Sequence, residues 1–136
     1  NTVFAGWPKG LFIDGAKGDS PTQATANVLQ IEKSVMSGMT DNYVLTSLAT
    51  TESWYLDATR GNEVKPTNDL LQLTAPFNLT APDFMPATGS LLLTGAAFTN
   101  SRLTDSFFTQ VAYRGAFGTT NWTTGWCNFD PQNTDY

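Results

Sequence analysis

Asn1-Thr2-Val3-Phe4-Ala5-Gly6-Trp7 is echoed 32 residues later by Lys33-Ser34-Val35-Met36-Ser37-Gly38-Met39, with valine on valine, a bulky apolar residue next, a small one after it, and glycine on glycine. At the same offset Leu11-Phe12-Ile13 falls on Tyr43-Val44-Leu45, so the apolar run after each glycine is repeated too. Self-similarity at a period of roughly 20–50 residues is the mark of a solenoid, in which each unit buries its apolar face by stacking on the next.

The repeat has the alternation of a β-strand. Val28-Leu29-Gln30-Ile31-Glu32-Lys33 puts Leu29 and Ile31 on one face and Gln30 and Glu32 on the other, the period of two that a half-buried strand shows. Leu11 and Ile13 share a face, and Asp14-Gly15 ends their run with turn chemistry. Short strands between Gly, Pro and Asn turns, returning once per repeat, predict a mainly β chain built as a parallel β-helix. An antiparallel β-sandwich is the alternative.

Composition sets limits on partners and chemistry. Twelve carboxylates against 7 basic residues give an acidic chain, which speaks against nucleic acid, whose phosphates need a basic footprint. Charged residues make up only 14% of the sequence, and a surface kept soluble by Thr, Ser, Asn and Gly is typical of extracellular β proteins. No apolar run approaches the length that spans a bilayer. The single Cys127 has no partner for a disulfide and reads either as a small core residue or as a reactive thiol. Histidine is absent, which removes Ser-His-Asp and Cys-His catalysis and His-based zinc chemistry. No metal or cofactor is expected.

The chain divides into the last coils of the solenoid, residues 1–39, and a capping region, residues 40–136, of the same domain. Because a coil beginning at Asn1 would leave its stacking face open, the sequence reads as the carboxy-terminal piece of a longer protein, with further coils and any signal sequence ahead of it. Residues 15–27 lack an apolar pattern and read as an exposed loop. From Asp41 to Arg60 the pattern is partly helical: Val44, Leu45 and Leu48 share a face, and Thr51 to Arg60 could follow a Thr cap and stop at Gly61. Trp54 and Tyr55 would plug the end of the solenoid or present aromatic rings to a ligand. Pro76, Pro82 and Pro86 forbid a long helix or central strand, so residues 62–90 read as an extended strap anchored by Leu71, Leu73, Phe77, Leu79, Phe84 and Met85.

Pro82-Asp83-Phe84-Met85-Pro86, then Gly89-Ser90-Leu91-Leu92 and Gly95-Ala96-Ala97-Phe98, resemble the closing segment of bacterial right-handed β-helix proteins, where P-x-F-x-P precedes G-S-P-x-L; Leu91 stands where Pro is usual. The tail from Phe107 to Gly118, with Asn121-Trp122-Thr123, Gly125-Trp126 and Asn128-Phe129-Asp130-Pro131-Gln132-Asn133, is similar to the carboxy terminus of surface and secreted proteins of Bacteroidota. Gly6-Trp7-Pro8-Lys9-Gly10-Leu11-Phe12-Ile13-Asp14-Gly15 resembles a last-coil motif of the same set. The resemblance implies a right-handed parallel β-helix closed by a short helix and a Pro-rich, aromatic cap. It also implies an extracytoplasmic address, secreted or lipid-anchored at the outer membrane. Members are mostly of unknown function, and the resemblance carries over no catalytic residue. Asn78-Leu79-Thr80 and Asn121-Trp122-Thr123 match the acceptor pattern for N-linked glycans, which a bacterial origin reads as chance.

Tyr113, Phe117, Trp122, Trp126, Phe129 and Tyr136 put six aromatics into the last 24 residues. They read as a lid, with Arg114 stacked or paired to Asp130, or as a sugar platform on which Trp122 or Trp126 stacks on a pyranose face while Asn and Asp groups bind its hydroxyls, the candidate carbohydrate-binding residues being Trp122, Trp126, Tyr113 and Asp130. The expected function is a non-enzymatic scaffold or binding module at the bacterial cell surface, working beside outer-membrane nutrient-uptake proteins or on glycans. The competing class is a polysaccharide-degrading β-helix lyase or glycosidase, which needs two carboxylates facing one groove; Asp14 and Glu32 are the outward candidates.

Overall fold

Val35-Met36-Ser37 is uncharged and ends on a small residue, and all three of its side chains are buried. This strand, β3, lies at the centre of a three-stranded parallel sheet between β1 (Val3–Ala5) and β5 (Glu63–Lys65). A strand covered on both sides can carry no unpaired charge, which is why the uncharged triplet takes the middle and Glu63 and Lys65 the edge. In the computed structural model, residues 1–16, 18–44 and 50–135 are described. The other elements are β2 (Lys9–Leu11), α1 (Ser20–Thr25), β4 (Asp41–Tyr43), α2 (Thr51–Tyr55), β6 (Leu73–Ala75) and β7 (Asp83–Pro86), with short 3-10 turns between and after them.

The two echoed segments lie side by side, Val3 against Val35, Phe4 against Met36 and Ala5 against Ser37. The second strip pairs Lys9 with Asp41 and Leu11 with Tyr43, and its Lys9 and Asp41 side chains form an ion pair at the surface. Gly10 is required in this strip, since a Cβ there would lie 2.3 Å from the Asn42 carbonyl oxygen. Val35, Leu71 and Leu92 form the core cluster, with Val3, Ala5, Leu73 and Leu91 packed against it. Burying each of those three side chains contributes about 1.5–3 kcal/mol.

The architecture is a small mixed α/β one with short parallel and antiparallel sheets, and it corrects the expectation of a parallel β-helix with a sandwich as alternative. The strands are mostly three residues long, and the two-stranded strip β2–β4 gains no third member among the described residues. After β5 the chain turns to an antiparallel hairpin, β6–β7, with Leu73 opposite Pro86 and Ala75 opposite Asp83. Two copies of a segment are enough to pair strands, whereas a solenoid needs the same strips renewed in every unit.

Local departures have identifiable causes. Residues 15–27 hold α1, which starts with Pro21 in its first turn and buries Ala24. Residues 28–33 form no strand: the Val28 and Leu29 N–H groups donate to the Gln23 carbonyl at 2.8 and 3.0 Å, and Asn27 and Lys33 have positive φ, so the helix end takes the bonds a ladder would need. Asp41–Tyr43 is strand instead of helix, α2 ends at Tyr55, and Leu45 and Leu48 lie outside the described residues. The strap is partly strand, and two of its supposed anchors are exposed, Phe77 and Leu79, the latter by 87%.

Both aromatics of α2 turn inward. The buried Tyr55 donates its hydroxyl to the Ser34 carbonyl at 3.2 Å, and the Trp54 indole N–H donates to the Ala24 carbonyl at 3.0 Å. Arg60 lies over the Trp54 ring at 4.3 Å. Burial pushes the Tyr43 hydroxyl up to about 12, with the Glu52 carboxylate adding to the effect, and raises Tyr55 as well. Neither phenol is therefore poised as a base near neutral pH. Among the described residues, no helix is long and apolar enough to cross a membrane.

Candidate functional site

The aromatic tail is built from turns. The Asn121 side-chain oxygen accepts the Thr123 N–H at 3.1 Å and its hydroxyl at 2.5 Å, and the Cys127 N–H donates to the Thr123 carbonyl at 3.1 Å. This single coiled turn carries Trp122 and Trp126, and a separation of four residues in such a turn brings side chains to one side. The ring centroids lie 5.7 Å apart with planes 28° from parallel. Gly125 permits the exit from the turn at φ +90°.

Trp122 is stacked on its other side by Phe117, at 5.1 Å and 12°. Phe117 meets Phe84 of β7 at 5.5 Å, and Phe84 meets Phe129 edge-on at 6.1 Å. A continuous ladder of rings thus runs from the hairpin to the surface. Its outer end is Trp126, 69% exposed, whereas Trp122 has a ring against each face. Both indole N–H groups are already engaged, Trp122 with the Ala116 carbonyl at 2.9 Å and Trp126 with the Trp122 carbonyl. What the ladder offers a ligand is therefore the free face of Trp126, an apolar and electron-rich surface.

The inner end of the ladder adjoins a cleft of about 520 Å³, lined by Val3, Ala5, Leu73, Phe77, Phe84 and Phe117 among others. Arg114 closes one side, buried and held by the Leu91 and Thr94 carbonyls at 3.0 and 3.1 Å and by Glu63 at 2.7 Å. The expected pairing of Arg114 with Asp130 is thus replaced by one with Glu63. The Lys65 ammonium, helped by Arg114, holds the Glu63 carboxyl below its usual range.

Of the sugar-platform candidates, the structure stacks Trp122 against Trp126, and among the described residues neither tryptophan makes a hydrogen bond or ring contact with Tyr113 or Asp130. The Tyr113 ring packs on Gly118, where a Cβ would come within 2.3 Å of it, and makes no ring contact with either tryptophan among the described residues. Asp130 accepts from the Asn133 amide at 2.8 and 3.0 Å, and its N–H donates to Asn128, a turn satisfied within itself. Phe84 is the member of the ladder that the tail's sequence could not reveal. Its signal was the apolar centre of Pro82-Asp83-Phe84-Met85-Pro86.

Cys127 is partly exposed and not a core residue. The candidate acids fall on different strips: Asp14 follows β2, while Glu32 precedes β3, so strand pairing does not bring them to one groove. No group of three or more His, Cys, Asp or Glu that could hold a metal ion occurs among the described residues. No protein-family model, curated protein or solved structure matches the chain.

Proposed function

We propose that the chain is a non-enzymatic binding module that works outside the cytoplasm at a bacterial cell surface, and that it takes a glycan on the outer face of Trp126. The exposed end of the aromatic ladder carries this reading. A pyranose presents a face of C–H groups, which gains from covering an apolar ring while its hydroxyls stay solvated. Phe117 and Trp122, stacked behind Trp126, hold the ring in place before any ligand arrives, and a surface fixed in advance loses less entropy on binding. The address rests on the hydroxyl- and amide-rich composition and on the likeness of the tail to surface proteins of Bacteroidota.

The Trp126→Ala variant is expected to bind oligosaccharides at least tenfold more weakly, the equivalent of about 1.4 kcal/mol. Trp122→Ala should weaken binding too, by freeing the Trp126 ring. Isothermal titration against a panel of bacterial and plant polysaccharide fragments checks both. Wild-type protein that binds none of them, with tryptophan emission unmoved throughout, sinks the reading. The same likeness supports a place beside outer-membrane uptake proteins. Affinity purification from membranes should then return a transporter, and its absence would count against that association.

A further inference from the structure

We propose that Asn78 is an acceptor site for an N-linked glycan and that Asn121, which has the same sequence pattern, is not. The acceptor pattern alone gives Asn78-Leu79-Thr80 and Asn121-Trp122-Thr123 equal standing, and a bacterial origin by itself reads both as chance; Asn78 alone departs from that reading, on the geometry and exposure of its tripeptide. Their geometry is alike at the first step. In both, the asparagine oxygen accepts the N–H and the hydroxyl of the threonine two residues on, at 3.2 and 3.1 Å for Asn78 and at 3.1 and 2.5 Å for Asn121. A hydrogen bond to a carboxamide oxygen draws charge from its nitrogen and makes the N–H protons easier to lose. That loss must accompany formation of a bond from the nitrogen to carbon.

Access separates the two. Asn78, Leu79 and Thr80 are all exposed, on the connection between β6 and β7, and the Asn78 amide nitrogen donates no hydrogen bond among the described residues. Thr123 is buried, Asn121 is partly buried, and Trp122 between them is clamped by Phe117 and Trp126. A transferase must surround the acceptor tripeptide, which the hairpin tip allows and the ring ladder prevents. The tip also carries Leu79, 87% exposed, and Phe77, 55% exposed, an apolar pair that an attached glycan would cover.

The donor is an oligosaccharide linked to a polyprenyl diphosphate, and the reaction balances without a redox partner. The Asn78 Nδ2 attacks the anomeric carbon, an N–C bond forms, and the C–O bond to the diphosphate breaks. The amide proton passes to a base of the transferase, and polyprenyl diphosphate leaves. Such transfer takes place outside the cytoplasm, in keeping with the proposed address.

The test is mass spectrometry of intact protein and of its peptides after secretion from a host that carries an asparagine glycosyltransferase. The expected result is a glycan mass on the Asn78 peptide and none on the Asn121 peptide. The increment should vanish in Asn78→Gln and Thr80→Ala, persist in Asn121→Gln, and persist at lower occupancy in Thr80→Ser. Both Asn78 and Thr80 are exposed, so circular dichroism should show these variants folded like the parent. An unmodified Asn78, or a glycan on Asn121, overturns the proposal.

Discussion

Replacing Arg114 by methionine is expected to lower the free energy of unfolding by about 3 kcal/mol. Breaking a buried ion pair by removing one partner costs roughly 3–5 kcal/mol, and the partial exposure of Glu63 brings the figure to the lower end. The loss extends beyond charge, because the guanidinium also donates to the Leu91 and Thr94 carbonyls, which would lose their partner. Arg114→Lys should recover only part of the difference, since an ammonium cannot span three acceptors in that planar arrangement. Urea denaturation measures this as a fall in midpoint at unchanged slope.

Acid provides a second readout of the same contact. Because the Glu63 pKa is depressed in the folded state, its contribution is fully present above the unfolded carboxylate range and is lost as pH falls through the folded value. Wild type and Arg114→Met should therefore draw closer in stability below about pH 4. A variant within about 0.5 kcal/mol of wild type at neutral pH would show that the tail is not held through this residue.

Asn62→Ala is expected to cost about 2–4 kcal/mol, because one buried side chain satisfies three backbone groups. Its oxygen accepts the Ser34 N–H at 2.9 Å, and its nitrogen donates to the Ile31 carbonyl at 2.7 Å and the Tyr55 carbonyl at 2.9 Å. These bonds tie the entry to β3, the end of α2 and the start of β5 to one another. Alanine leaves all three groups without a partner in a place water does not fill easily. Asn62→Asp should be at least as damaging, because it faces a carboxylate towards two carbonyls. The melting temperature should drop by roughly 10 °C, and the Ser34 amide should exchange its proton faster. Unchanged exchange at Ser34 would locate the stabilisation elsewhere.

Some of this architecture is legible in the sequence, and the rest is hidden for physical reasons. The neighbourhood of residues 3–5 and 35–37 was legible because both segments match residue by residue. Glu63-Val64-Lys65 has no such likeness to Val35-Met36-Ser37, so the third strand was hidden. The echo does not extend into a solenoid, because the second strip has two strands among the described residues. The helix at Ser20–Thr25 buries only Ala24, too little to leave an apolar period. Three prolines concealed the hairpin, although Pro86 closes a strand end and Pro76 and Pro82 lie outside the strands. The wealth of aromatics in the tail was plain, but which tryptophan keeps a free face depends on Phe84 and Phe117 arriving from elsewhere. The partner of Arg114 lies 51 residues away, beyond any local pattern.

The first residue of the chain is fastened to its last third. The Asn1 side chain exchanges two hydrogen bonds with the backbone of Ala97, both at 2.9 Å, and its carbonyl accepts the Gly115 N–H at 2.8 Å. Contacts so distant in sequence form only after a large loop has closed, and closing it costs entropy before the core repays it. These bonds join the start of the sheet to the tail, so cutting the tail away would leave the Asn1 side chain and carbonyl without these partners.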